Sequence, residues 1–489
     1  MKKFSMTLCA ILCAICAITA QNKPTGIFMN LYAKDMAQPH AISENGKWAC
    51  GSAYLEETGT IANASKWNLE TGERIYLSGD ETEPCDARCI NNDGTIVGGS
   101  YNGQPAYWLE KDQLWHEVEM PRGYTSASGD IMAMAFVNGD TIMIGYLFKS
   151  ETEGKIVRWI NGKEDTNFKY RNYTRYKEIS NKEIPAQMEK LRGMSSDAQR
   201  YLISLDHNLL PTAGSSNLPT TFVQIGDTEN YTTTVIEREF GSYDLVSFVE
   251  DATMSHNGKF VAGRIYGVPC SNDEANTPSV AFTYDVDNDI FTHYEYIEQT
   301  QRFSGASCID NQGNAYFKSI NGSDPLGKPY IYANDEYIEL ESILLQYEGI
   351  TEEQIDAIAK EVVGSDADDL GVVWAVSGDG KTLIGAGDAL KGNIWCAKLS
   401  CSPYDLVAGN AGTGTDNITY NNLAAYYANG VITIEGVAAD MIEVYSITGA
   451  KVISQTVENC TIKADLNNGI YIVKVYNGEN VATSKIIVK

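Results

Sequence analysis

One ten-residue phrase recurs along this chain, and such a recurrence restricts the fold more than length or composition does. It reads "ISENGKWACG" at 42–51, "INNDGTIVGG" at 90–99, "MSHNGKFVAG" at 254–263 and "VSGDGKTLIG" at 376–385. Weaker copies stand at 135–145 ("AFVNGDTIMIG"), 194–204 ("MSSDAQRYLIS") and 308–318 ("CIDNQGNAYFK"). The phrase has an apolar residue, a Ser, Asn or Asp, a tight Asn-Gly or Asp-Gly type turn, and an alternating apolar run that ends in a small residue. Asn-Gly and Asp-Gly supply the two positive φ angles of a two-residue hairpin, where another residue would lose about 1–2 kcal/mol. Each phrase therefore predicts a β-hairpin. With Gly46, Gly94, Gly139, Ala198, Gly258, Gly313 and Gly380 as anchors, seven copies follow one another at spacings of 48, 45, 59, 60, 55 and 67 residues.

A second pair of runs follows most copies, at 64–78, 105–119, 155–169, 280–296 and 329–340. Apolar and polar residues alternate in them, with Gly, Asn or Asp at the break, so one repeat holds four short antiparallel strands. Four strands per repeat of about 40–60 residues predict an all-β fold, a seven-bladed β-propeller over residues 25–405. The last copy ends after three strands, in the loose "SPYDLVAGNAGTGTDN", and the missing outer strand stands at the other end as "TGIFMNLYAKD" (25–35). Ile27–Tyr32 is expected to pair beside Asn393–Leu399 and close the ring. One helical insert, at about 340–364, is expected from Thr351 before Glu352 and Glu353, with Ile355, Ile358, Ala359 and Val362 at helical spacing. It reads as a packing ornament on the rim.

The ends of the chain set its compartment. Residues 1–20 have Lys2 and Lys3, an apolar run and a small residue at Ala20, the pattern of a cleaved signal peptide. A lipoprotein leader fits less well, because Ile15 precedes Cys16 where lipidation calls for a small residue. No later stretch reaches the ~20 continuous apolar residues of a transmembrane segment. The net charge of −27, which becomes −29 without Lys2 and Lys3, repels nucleic acid and anionic lipid. Eight of the eleven cysteines lie beyond the leader, and an oxidising compartment would allow bridges among them. Cys89 and Cys308 fall at the apolar start of the phrase, which favours small core residues.

The phrase, the copy "WAVSGDGKTLIGAG" after "LLQYEGIT", and aromatic runs such as "PAYWLE" resemble the HAF repeat of secreted bacterial proteins. That resemblance implies an extracellular repeat protein and assigns no chemistry. Beyond the Gly/Asn/Thr-rich linker at 406–420, residues 421–489 predict a small β-sandwich (Ig-like) domain of alternating strands and Gly turns. Here "IEVYSITGAKV", "LNNGIYIVKV" and the terminal "KIIVK" resemble, in order, the signatures of a type IX secretion-system C-terminal sorting domain. Ser446 and Ile447 stand where Asp and Leu are more usual. The resemblance implies an outer-membrane translocon as partner and a secreted or cell-surface location.

Five histidines and no HExxH, GxSxG or P-loop pattern leave no cofactor, metal or catalytic residue assigned. "DVDND" (285–289) lacks the Gly of a calcium loop and reads as a turn. "SGDGKT" (377–382) has its glycines out of register for a sialidase Asp-box, and "KYRNYTRYK" (169–177) reads as a polar edge strand. The long loops 207–220, 266–278 and 321–329 fall on one face and suit a binding surface. Near the central channel, His40, Arg88, Glu250, Asp251 and Trp374 are the ligand-binding candidates. The expected function is a non-catalytic binding or scaffold propeller for an extracellular glycan, peptide or protein. The alternative is a secreted hydrolase, glycoside- or peptide-cleaving, using carboxylates at the channel mouth.

Overall fold

The computed structural model describes residues 27–31, 36–54, 61–77, 84–150, 153–170, 189–205, 221–236, 248–266, 280–294, 301–321, 324–333, 336–346, 348–363, 370–386, 394–407, 424–428, 431–435, 440–446, 451–456, 461–464, 466, 469–477 and 480–488. The leader, residues 408–420 of the linker, the loop 207–220 and most of 266–278 and 169–177 lie outside the described residues, whereas 321–329, expected as a long loop, is mostly the strand Asp324–Ala333. The chain divides into two compact units, one over 23–411 and the other containing 412–489.

The larger unit is all-β, and its described strands make seven four-stranded antiparallel sheets. The first holds β2 (Met36–Ile42), β3 (Trp48–Tyr54), β4 (Ile61–Asn68) and β5 (Arg74–Tyr76). The second holds β6 (Cys85–Ile90), β7 (Ile96–Tyr101), β8 (Gln104–Leu109) and β9 (Leu114–Glu117). The third has β10 (Ser128–Val137), β11 (Asp140–Ser150), β12 (Glu153–Ile160) and β13 (Lys163–Glu164). The fourth has β14 (Glu189–Met194), β15 (Arg200–Leu205), β16 (Thr221–Ile225) and β17 (Thr232–Val235). In the fifth are β18 (Phe248–Met254), β19 (Phe260–Tyr266), β20 (Val280–Asp285) and β21 (Ile290–Tyr294). In the sixth are β22 (Gln301–Ile309), β23 (Ala315–Asn321), β24 (Asp324–Ala333) and β25 (Glu336–Glu339). The seventh joins β26 (Val372–Val376), β27 (Thr382–Ala386) and β28 (Ile394–Lys398) to β1 (Ile27–Asn30) from the start of the chain. Ile27 lies opposite Lys398 and Asn30 opposite Trp395, the pairing expected from the missing outer strand.

The core corrects the simple alternation read from the sequence. Each apolar cluster of this unit spans two neighbouring sheets: Cys50 and Ala64 meet Val97 and Trp108, and Ile42 and Trp67 meet Ile384 and Ile394. Sheets two to seven are joined in the same way, so both faces of every sheet are covered. Burial is accordingly continuous along β7 and β28. Small Gly, Ala, Ser and Cys residues fill positions that a one-sided sheet would make polar, because the faces must approach closely. All six described cysteines are free, five of them buried, and burial raises the thiols of Cys89 and Cys396 to about 12.

Charged groups also tie the sheets together. Lys66 is fully buried, its Nζ 4.8 and 4.7 Å from the Trp48 and Trp108 rings and donating to Gly94 O at 2.6 Å. Burial lowers its pKa, and Glu110 at 3.2 Å works the other way. The Arg158 guanidinium joins Asp165 at 2.5 Å, Asp227 at 2.7 Å and the Tyr201 hydroxyl at 2.8 Å, linking sheets three and four.

The insert is two helices, Leu340–Gln346 and Glu352–Val363. Thr351 caps the second: its Oγ1 accepts from the Gln354 amide, and Gln354 Oε1 accepts from the Thr351 amide. Leu340, Ile343, Leu344 and Ile355 bury into the core between sheets six and seven. The stretch after β28, expected to be loose, starts with a short helix, Pro403–Val407, whose Ser402 cap and buried Leu406 hold it down. The smaller unit packs a three-stranded sheet (Ala424–Ala428, Val431–Glu435, Thr461–Lys463) with a four-stranded one (Met441–Ser446, Lys451–Thr456, Gly469–Asn477, Asn480–Val488) over an Ile/Val core. Glu443 on that second sheet accepts from Lys451, Tyr445 and Tyr476, which hold its pKa down to about 2.

Candidate functional site

The repeated phrase folds as a hairpin, but the turn differs from the expected two-residue one. Only the third copy has two successive positive φ angles, at Asn138 and Gly139. In the other six, one residue alone has positive φ: Gly46, Gly94, Ala198, Gly258, Gly313 and Gly380. The serine explains the difference. In the seventh copy the Gly380 amide takes the Ser377 carbonyl, so the Thr382 amide, which that carbonyl would otherwise serve, bonds to Ser377 Oγ at 2.9 Å. Ser377 Oγ in turn donates to Asp379 at 2.6 Å. Ser43, Ser195 and Ser255 do the same, and Asn91 and Asp310 substitute a side-chain oxygen. Hence the phrase requires Ser, Asn or Asp at its second place.

These turns bond to one another across sheets. The Gly378 amide donates to Glu44 O at 2.8 Å, Asn311 to Gly378 O at 3.0 Å, and Ser196 to His256 O at 2.7 Å. Asn257 gives its amide and side chain to Asn311, and Asn45 does the same to Asn92. Glu44 Oε1 accepts from Ser196 Oγ and Asn311 Nδ2 at 3.4 and 3.3 Å, reaching sheets four and six from sheet one. His256 Nε2 lies 3.3 Å from Val376 O, and burial lowers its pKa against the pull of Glu44. The turn of sheet three stands apart: Asn138 and Gly139 make no described bond to a neighbouring sheet, and nothing lies within 4 Å of a Cβ built on Gly139.

Beside this break lies a cavity of about 440 Å³. Glu44, Asn92, Asp93, Phe136, Ser196 and His256 line it from the turns, and four methionines, Met132, Met134, Met194 and Met254, line it from the inner strands. Phe136 is 51% exposed. Arg88 also lines it.

The inner strands explain how Arg88 comes there. All seven carry a β-bulge at the same place, skipping His40, Arg88, Met132, Arg192, Asp251 with Ala252, Ser307 and Trp374. A bulge re-aims the side chain it carries. The final small residue of the phrase permits it: a Cβ on Gly99 would lie 1.8 Å from Asp86 O, and one on Gly51 1.9 Å from Gln38 O.

Four of the five sequence candidates thus stand at bulges, and two of them, His40 and Arg88, meet. Asp86, 2% exposed, receives Arg88 Nη2 at 2.5 Å, His40 Nδ1 at 3.4 Å and the Ser52 hydroxyl. Burial would raise the Asp86 pKa, but His40, Arg88 and Ser52 together hold it below the usual range. Trp374 is 40% exposed on β26. Glu250 and Asp251 lie on β18, and their side chains are outside the described residues. Sequence reasoning missed Asp86, which is not at a bulge, and also Met132, Arg192 and Ser307, which counting back from the positive-φ residue of each turn would have marked. "DVDND" is a turn in which Asp285 Oδ1 accepts from the Asp287 and Asn288 amides. Among the described residues no His, Cys, Asp and Glu group could hold a metal.

An all-β protein with a bulge-lined interior and a separate C-terminal sandwich is the class these features define. Residues 428–489 match the family model for the secretion system C-terminal sorting domain. The chain is therefore exported by type IX secretion to the cell surface or extracellular space. No curated protein matches it, and no described helix is long and apolar enough to cross a membrane. Its structural neighbours are propeller-like. They include the β-propeller domain of the Trilobed protease from Pyrococcus furiosus, at 12% identity and TM-score 0.37, covering 62% of this chain and 81% of that one. An oligogalacturonate lyase from Vibrio parahaemolyticus is similar at 10% identity and TM-score 0.45, covering 76% and 97%.

Proposed function

We propose that the chain is a HAF-repeat-like, seven-bladed propeller closed by β1 and displayed outside the cell, and that it binds an extracellular glycan, peptide or protein without transforming it. Several contacts support the closed ring: inner strand β26 lies beside β2 as well as β22, and Gly46 abuts Ser377 and Thr382 of the last sheet. Domain limits of 25–405 for the ring and 421–489 for the sandwich follow from the same reading. Binding is favoured over hydrolysis by one observation. The cavity sets four methionines and Phe136 beside polar groups in about equal measure, a mixed lining suited to holding a ligand. Of its two carboxylates, Glu44 is held by Ser196 and Asn311 and so serves the scaffold, while Asp93 stands exposed on its turn.

The test is a glycan and peptide array probed with the mature full chain and with Met134→Trp, which fills the cavity. Hits lost in the variant, with its melting temperature kept, support the cavity as the site. Hits retained by the variant move the site elsewhere, to the long-loop face or the exposed Trp374. Cleavage of any bound compound favours the hydrolase reading instead.

A further inference from the structure

We propose that the cavity holds a soft monovalent cation, Cu(I), on the thioether sulfurs of Met134, Met194 and Met254. This goes beyond the organic ligand argued above and shares only its cavity. The second residue past the bulge is Ile42, Ile90, Ile309 and Val376 in sheets one, two, six and seven, and each is buried. In sheets three, four and five, which follow one another, it is Met134, Met194 and Met254. All three line the cavity, and Met132 at the third bulge lines it too. Isoleucine is as apolar, so burial does not call for the exchange. Methionine is unbranched and fills irregular gaps, but here the gap stays open at about 440 Å³. What the three share and isoleucine lacks is a sulfur with lone pairs.

Position and charge suit such an ion. A Cβ on Gly193 would lie 3.4 Å from Met254 Cβ and 3.7 Å from Met254 Cε, so the Met254 side chain lies against β14 beside Met194. Three rotatable bonds let each thioether turn toward a common point. Thioethers are soft ligands that select Cu(I) and leave Ca(II) and Mg(II) to oxygen donors. They are neutral, so the ion keeps its charge, and the acidic chain, with Asp93 exposed at the cavity, lowers the cost of holding it. Opposing charge is slight: Arg88 is paired with the buried Asp86, and burial favours the neutral form of His256. Cys89 also lines the cavity, but its thiol, pushed up to about 12, is a poor competitor for the ion.

The experiment titrates the mature full chain with Cu(I), without oxygen and against a chromophoric chelator. In parallel, Ag(I) serves as a diamagnetic stand-in while the ε-methyl resonances of methyl-labelled methionine are followed. The chain is expected to take up Cu(I), and the methyls of Met134, Met194 and Met254 to shift with Ag(I) while that of Met441 in the smaller unit stays in place. Met134→Leu, Met194→Leu and Met254→Leu keep side-chain volume, and each should weaken Cu(I) at least about tenfold, no less than the loss of an outer-shell partner costs a metal site. Absence of Ag(I) shifts at these methyls in the unaltered chain would overturn the site, whether or not the variants fold. So would Cu(I) affinity unchanged in all three variants, which would place the ion on cysteines instead. Array hits lost in Met134→Trp without any Ag(I) shift would overturn the metal and leave the organic ligand, whereas Ag(I) shifts with array hits kept in Met134→Trp would do the reverse.

Discussion

The turn of the third sheet and the other six turns begin from nearly the same residues and end in different places. Six have Ser, Asn or Asp three residues before the positive-φ position, or in the fourth copy three before Ala198, and that side chain takes over a backbone acceptor. The third has Phe136 there, uses a true two-residue hairpin, and makes no described bond to its neighbours. The turn that lacks the polar side chain is also the one with no described bond to a neighbouring sheet, and a cavity lies beside its exposed Phe136.

Glycine substitutions should show the largest contrast. A Cβ at Gly46 would lie 2.5 Å from Thr382 Oγ1 and 3.0 Å from Ser377 Cβ, on a φ of +68°. Overpacking of about 1–3 kcal/mol adds to a left-handed backbone penalty of about 1–2 kcal/mol in Gly46→Ala. Gly139→Ala, with open space around it, should show the backbone penalty alone. Urea unfolding of the full chain checks this, and equal losses would break the distinction between the turns. Next in size, Ser377→Ala strips the acceptor from the buried Thr382 amide and should cost about 1–3 kcal/mol. Phe136→Ala, at the matching place in the third turn, should cost less than about 1 kcal/mol.

A pH dependence singles out the sixth turn. Burial raises Asp310, in the sixth turn, to about 6 despite the Asn314 and Gln312 amides that bond to it. The folded state therefore holds this proton more tightly than the unfolded chain, whose aspartate titrates near ~3.9. Its contribution to stability is full below about pH 4 and is lost as pH rises through about 6. Asp310→Asn, which places the residue of Asn91 at the same position, should flatten that fall in melting temperature between pH 4 and 6. Glu443 in the C-terminal unit has the opposite sign: its stabilisation is present above the usual carboxylate range and disappears as pH falls toward 2. A melting profile of Asp310→Asn with the unaltered slope would remove the sixth turn as its source.

The repeat carried most of the fold in its letters. Turn glycines and period located the hairpins, and the absent strand after "NIWCAKLS" pointed to the pairing of β1 with β28. Both-sided burial was harder to read, since the Ala, Gly and Cys that permit it look neutral on a hydropathy pattern. Four site candidates fell at bulges, yet Asp86, which draws His40 and Arg88 together, was hidden because its partners come from two sheets and 46 residues of sequence. The cavity had a signal that went unused: "AFVNGD" alone lacks a polar residue ahead of its turn pair.

Amide hydrogen exchange at single-residue resolution bears most directly on the joined turns and their one break. Slow exchange is expected at Ser196, Asn311 and Gly378, which donate across sheets at 2.7 to 3.0 Å, and fast exchange at Asn138 and Gly139. Equal protection of the third turn, or rapid exchange at Gly378 and Asn311, would contradict it.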